Sequence, residues 1–260
     1  MGGETAGATP AELARSIRLL IDEPSDGPTN MGRDDALLAC VGKGMSSSTL
    51  RLYRWDPPTI SLGYFQPYAE YKALESPARE LPVVRRSTGG GAILHDLELT
   101  YSLTLSLGHE LLKRGPHRLY EVVHEAVIAA LEAVGAKGFT CGESDGSGAS
   151  RGPFFCFARR HCFDVLVGEG KVAGSAQRRT REAVLQHGSI IVANRFPQQP
   201  TGAINGKVDE VLCRLPTAFS AAFERATKLS LMPSVWTDEE RAKAEGACRK
   251  HASPEWIGRR

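Results

Sequence analysis

Residues 154–192 constrain the fold more than any other stretch of this chain. Phe154-Phe155-Cys156-Phe157, Asp164-Val165-Leu166-Val167, Gly170-Lys171-Val172-Ala173-Gly174-Ser175-Ala176-Gln177 and Gln186-His187-Gly188-Ser189-Ile190-Ile191-Val192 follow one another as short apolar or alternating runs. Between the second and third runs, Gly168-Glu169-Gly170 is a hairpin signal, because glycine reaches the backbone angles that tight turns need. The segment predicts three or four strands folded back on themselves.

The remainder is read in chain order. A strand is expected over 16–22 and a turn-rich connection over 24–28. A helix follows over 29–41, with Thr29 or Asn30 as its cap and Gly42 and Gly44 as stops. Strands are expected over 49–55 and 59–64, and Pro57-Pro58 between them breaks the ladder at a hairpin-like bend. A short helix over 67–80, a strand over 81–86, the Gly89-Gly90-Gly91 turn and a strand over 99–105 come next. The longest helix spans 116–134: Leu119, Val122, Val123, Ala126, Val127, Ala130 and Leu131 make a broad apolar stripe, and Gly135 ends it. Residues 140–152 form a Gly/Ser-rich loop of a length that often carries function. Helices over 208–227 and 237–251 are expected to form a small cap at about residues 205–260. This order is not alternating βαβ. It predicts the α+β class, an α/β sandwich with a mixed, mostly antiparallel sheet, in one domain over 16–260 after a disordered tail at 1–15.

Composition mainly excludes. A net charge of +2 gives no general attraction to nucleic acid. The cysteines are scattered through a chain large enough to fold without staples, so no disulfide framework is implied. Cys156, His161 and Cys162 cluster without a second pair at zinc-finger spacing, so no metal is expected. No run approaches a membrane span, and the first residues lack the cationic head and apolar run of a secretory signal. A cytoplasmic protein is expected, with a monomer as the default.

Several residues could carry chemistry, each beside a plainer use. Gly89-Gly90-Gly91 after Arg85-Arg86 serves a tight turn, yet its bare backbone also lets a carboxyl or phosphate oxygen approach the N–H groups. Lys171 reads first as a surface lysine, although its small neighbours leave space above the strand in which an ammonium could hold an oxygen. Cys156 among phenylalanines reads first as a buried thiol. A free thiol has a pKa near ~8.5, so a lysine beside it would raise its thiolate fraction. His95 and His187 read as satisfied structural histidines before general bases. Asp96 reads as a turn residue.

Three blocks together resemble the lipoate/biotin protein ligase superfamily. They are Arg85-Arg86-Ser87-Thr88-Gly89-Gly90-Gly91-Ala92-Ile93-Leu94-His95-Asp96, Gly170-Lys171-Val172-Ala173-Gly174-Ser175-Ala176-Gln177 and Gln186-His187-Gly188-Ser189. The resemblance implies the catalytic fold shared with biotin protein ligases, a class II aminoacyl-tRNA synthetase-like fold. Within the superfamily, LipB-type octanoyltransferases carry cysteine downstream of the lysine in Pro-Cys-Gly. LipM-type octanoyltransferases carry it upstream as Cys-Phe, and Cys156-Phe157 before Lys171 is similar to the latter. Lipoate ligases tend to have Asn-Asp before the lysine hairpin, where this chain has Phe163-Asp164. The resemblance therefore implies an octanoyltransferase that takes octanoyl from acyl carrier protein onto catalytic Cys156, with Lys171 beside it. It passes the chain to a lysine of a lipoyl carrier domain, the glycine cleavage H protein or a dehydrogenase E2. Arg85, Arg86, Ser87, Thr88, Gly89, Gly90, Gly91, His95, Asp164, Gly174, Ser175, Ala176, His187 and Gly188 are the implied substrate-binding residues. No cofactor is expected, and ATP with Mg enters only if the chain is an ATP-dependent lipoate ligase. A non-catalytic acyl-binding relative is the other alternative. Under the octanoyltransferase reading, Arg159-Arg160, Arg178-Arg179 and Arg181 are expected to dock acidic carrier proteins.

Overall fold

The computed structural model describes residues 15–144 and 152–260. The expected tail, apart from its last residue, and most of the expected 140–152 loop lie outside the described residues. In chain order the elements are β1 (Ser16–Ile21), α1 (Gly27–Gly42), β2 (Thr49–Tyr53), β3 (Thr59–Leu62), α2 (Tyr68–Lys72), β4 (Val83–Arg85), β5 (Ile93–His95) and β6 (Leu97–Ser106). They continue with α3 (Pro116–Ala133), β7 (Gly138–Thr140), β8 (Val165–Val167), β9 (Gly170–Arg179), β10 (Ala183–Ala193), α4 (Val208–Thr227), β11 (Ser230–Pro233), α5 (Asp238–Ala252) and α6 (Pro254–Ile257).

One sheet runs β11-β1-β2-β6-β10-β9-β8-β7, and a second runs β4-β3-β5. The large sheet is parallel at β11-β1-β2 and antiparallel elsewhere. The fold is thus α+β with a mixed, mostly antiparallel sheet. Side-chain alternation separates its faces. Leu99, Tyr101, Leu103 and Leu105 of β6 join the core against Leu119, Val123 and Val127 of α3 and Leu215, Phe219 and Phe223 of α4. The intervening Thr100, Ser102 and Thr104 are also buried, on the opposite face, where α1 packs across β6 and β10 through Leu38, Val41, Ala183 and Leu185.

Several boundaries differ from expectation for local reasons. α1 starts earlier than Thr29, because Asp26 caps it by accepting the Thr29 N–H at 2.8 Å and a proline suits the first turn. Pro57-Pro58 does not join a hairpin: β2 belongs to the large sheet and β3 to the small one. Residues 67–80 make only the short α2 and a 3-10 turn at Ala78–Glu80. Cys156 lies in a 3-10 turn, not a strand. The segment expected as a C-terminal cap makes two separate contacts, α4 against α3 and α5 against α1. No helix among the described residues is long and apolar enough to cross a membrane.

Candidate active site

The site forms where β9 loses a neighbour. β8 pairs with β9 only as far as Ala173, so from Gly174 onward the outer side of β9 carries no strand among the described residues. The Cys156 turn and the triple-glycine turn come together beside that gap. Cys156 donates its N–H to the Ala92 carbonyl at 2.7 Å, and Ala92 donates to the Phe154 carbonyl at 2.9 Å. Two backbone hydrogen bonds thus fix the thiol segment to the glycine segment. Arg86 shapes the glycine turn from within: Nη2 donates to the Gly89 and Gly91 carbonyls at 2.8 and 2.7 Å, and Nη1 to the Ser61 carbonyl at 2.9 Å. Burial pulls the Arg86 pKa down to about 10, which still leaves a cation at neutral pH.

Lys171 is buried and reaches Cys156. Its Nζ lies 3.7 Å from the Cys156 sulfur, 3.3 Å from the Cys156 carbonyl oxygen and 2.7 Å from an Asp164 carboxylate oxygen. Asp164 is oriented by the His161 N–H at 2.8 Å. Gly174 keeps the space open, since a Cβ there would stand 2.8 Å from Lys171 Cε. Burial works against the ammonium, but the Cys156 sulfur and the Asp164 carboxylate outweigh it and hold the Lys171 pKa above its ordinary value. Lys171 therefore faces the Cys156 thiol as an ammonium at neutral pH.

Two clefts meet at this point. The inner one is narrow and runs beneath Gly90 and Cys156 between apolar walls that include Met31, Trp55, Ile93 and Phe157. The outer one is wider and more polar, with Lys171, Asp164, His124, Arg159 and Arg160 on its walls. Cys156, Gly90, Ser175 and Ala176 line both. The inner cleft is the more apolar of the two, and the outer one carries the charged groups.

The family model of the lipoyl protein ligase A/B catalytic domain matches residues 26–221. The chain belongs to this family. Octanoyltransferase LipM of Brevibacillus brevis is 33% identical over 94% of this chain and 99% of its own length. Octanoyltransferase LipM of Moorella thermoacetica is 34% identical over 95% of this chain and 99% of its own. In fold, the chain matches lipoate-protein ligase A bound with ATP at a TM-score of 0.72 and 22% identity, covering 94% of this chain and 99% of that one. A bipartite lipoate protein ligase from Thermoplasma acidophilum, studied with its E2 lipoyl domain, matches at a TM-score of 0.67 and 20% identity over 94% of this chain and 96% of that one.

Within this family member, the expected site residues divide. Arg86, Gly90, His95, Gly174, Ser175, Ala176, His187 and Gly188 line the inner cleft, and Gly89, Gly91 and Asp164 the outer. Arg85 is spent elsewhere, donating to the carbonyls of Gly63 at 2.8 Å, Gln66 at 2.7 Å and Ile257 at 2.7 Å. Ser87 turns to Asp35 at 2.7 Å, and Thr88 stands behind His187 at 2.7 Å. His187 and His95 line the cleft as fully bonded groups. His187 Nδ1 meets Asp34 at 3.0 Å, while His95 meets Glu98 at 2.9 Å and Ser61 at 2.8 Å and stacks on Trp55 at 3.8 Å.

Sequence reasoning missed Asp34, Trp55, Tyr101 and His124. The signal for His124 was its spacing from Tyr120, which puts both on one side of α3, off the apolar stripe. Burial pulls the His124 pKa down to about 4. The unfolded chain takes up that proton near pH ~6.5. Between these values the unfolded state binds more protons, so stability falls as pH drops through the window. The expected loss from His124 is on the order of 3 kcal/mol by about pH 4. Burial likewise lowers the His95 pKa, which works in the same direction. Thermal melts across this range should show the decline, and His124→Gln should flatten part of it.

Proposed function

We propose that this protein is a cytoplasmic octanoyl-[acyl-carrier-protein]:protein N-octanoyltransferase of lipoate biosynthesis, working through a thioester on Cys156. The observation that carries the reading is the Lys171 ammonium 3.7 Å from the Cys156 sulfur at the mouth of an apolar cleft. The two octanoyltransferase relatives, each similar over nearly its whole length, support the activity.

In the first half-reaction the Cys156 thiolate attacks the carbonyl carbon of octanoyl-acyl carrier protein. A carbon–sulfur bond forms, the oxyanion develops beside the Lys171 cation, and the bond to the carrier thiol breaks. In the second half-reaction a lysine amine of a lipoyl carrier domain attacks the enzyme thioester, forms the amide and releases Cys156. Thioester to amide is downhill, so the scheme needs neither ATP nor metal. Two half-reactions also spare the enzyme from holding both carriers at once. The inner cleft takes the chain: about six methylenes at ~0.8 kcal/mol each contribute roughly 5 kcal/mol of recognition. Arg159 and Arg160 on the outer cleft, with Arg178, Arg179 and Arg181, would attract acidic carrier proteins.

The test supplies purified protein, octanoyl-acyl carrier protein and a lipoyl domain without nucleotide. Octanoyl-lysine should form on the domain. Strict dependence on ATP, with lipoyl-adenylate accumulating from lipoate, would instead identify a ligase.

A further inference from the structure

The transfer scheme leaves one half-buried polar group beside the reacting centre unused. Ser175 lines both clefts at their junction with Cys156. Its hydroxyl meets His124 Nε2 and the Tyr101 hydroxyl. His124 Nδ1 meets the Phe163 carbonyl oxygen, which can only accept, so the imidazole proton sits on Nδ1. Nε2 is then bare and must accept the Ser175 proton. Tyr101 in turn donates to the Ser175 oxygen. This count leaves Ser175 with no proton to offer and one lone pair free. The small residue at position 188 makes room for the relay, since a Cβ there would lie 2.8 Å from Ser175 Oγ and 2.7 Å from the Tyr101 oxygen. The lowered His124 pKa keeps the ring neutral, as the proton count requires.

An attacking amine needs the opposite of an oxyanion donor. Its lone pair must face the carbonyl carbon, so its N–H bonds need an acceptor on the other side. In the outer cleft Lys171 and the His161 N–H both hold the same Asp164 oxygen, Oδ2, which leaves Oδ1 as a second acceptor beside Ser175. We propose that the Ser175 oxygen accepts an N–H of the acceptor lysine and aims its amine at the octanoyl-Cys156 carbonyl, with His124 and Tyr101 as positioning residues that keep Ser175 an acceptor. The carbon–nitrogen bond forms, the carbon–sulfur bond to Cys156 breaks, and the surplus amine proton ends on the departing sulfur. The inference rests on the thioester reading above. It assigns Ser175 to the amine half-reaction alone, because the thiol half-reaction brings no N–H to orient.

Single-turnover kinetics separates the halves. For Ser175→Ala, acylation by octanoyl-acyl carrier protein should stay within about 3-fold of the unaltered enzyme, while transfer from pre-acylated enzyme to the lipoyl domain should slow by about 10–100-fold. Return of octanoyl from Cys156 to a small thiol should be unchanged. His124→Leu should show the same split, which keeps the test open if Ser175→Ala folds poorly. Equal slowing of both halves would mark Ser175 as an oxyanion donor and overturn the inference, as would unchanged amine transfer in both variants. Failure of the unaltered enzyme to acylate at all would overturn the thioester reading, and this inference with it.

Discussion

Cys156→Ser abolishes octanoyl transfer, with an expected fall on the order of 10³-fold or more. A lysine ammonium cannot ionise a serine hydroxyl, so the change keeps the shape and removes the nucleophile. Lys171→Met should cost nearly as much, about 10²-fold in acylation, for a compound reason. It deletes the cation 3.7 Å from the sulfur, and it leaves the Asp164 carboxylate without its 2.7 Å partner beside the thiol. An unpaired carboxylate there disfavours the thiolate further. Acylation rates at saturating donor measure both effects, and near-normal rates in Lys171→Met would remove the lysine from the mechanism.

The second large effect is on stability. Arg51 is fully buried on the polar face of the sheet, and Asp34 accepts from it at 2.7 Å. The same carboxylate accepts from Tyr53 at 3.0 Å, Ser102 at 2.8 Å and His187 at 3.0 Å. These bonds and Arg51 outweigh the burial penalty, and the Asp34 pKa stays below the ordinary carboxylate value. Asp34→Ala removes one of the two carboxylates that pair the buried Arg51, which keeps Asp22 at 2.7 Å, and takes an acceptor from three further polar groups, so a loss of about 2–4 kcal/mol is expected. Urea unfolding should show a lower midpoint at an unchanged slope. Asp34→Asn, which keeps the shape and one acceptor oxygen, should lose less. A midpoint for Asp34→Ala close to that of the unaltered protein would contradict this account of the network.

Local pattern made some of this molecule readable and hid the rest for identifiable reasons. The long helix was visible because its apolar stripe is periodic and Gly135, at φ 89°, stops it. The hairpin of β8 and β9 was visible from Gly168-Glu169-Gly170 between them. The destination of β3 was not, because the period of a strand says which residues share a face, not which strand lies beside it. Lys171 read as a surface lysine since nothing adjacent in sequence announces burial. Its partner Asp164 comes from the segment before β8, and its 4% exposure depends on that contact. Arg85 and Arg86 were inseparable as a pair, yet neighbours on a strand face opposite ways: one binds the C-terminal segment and the other folds the glycine turn. The order of cysteine before lysine was the one feature that pointed past these local readings, and the geometry brings the two together.

The thioester on Cys156 is the central claim, and intact-mass measurement after mixing the protein with octanoyl-acyl carrier protein tests it most directly. One octanoyl increment should appear, be released by neutral hydroxylamine and be missing in Cys156→Ser. An unmodified mass under conditions where transfer to the lipoyl domain proceeds, or an increment that survives in Cys156→Ser, would contradict it.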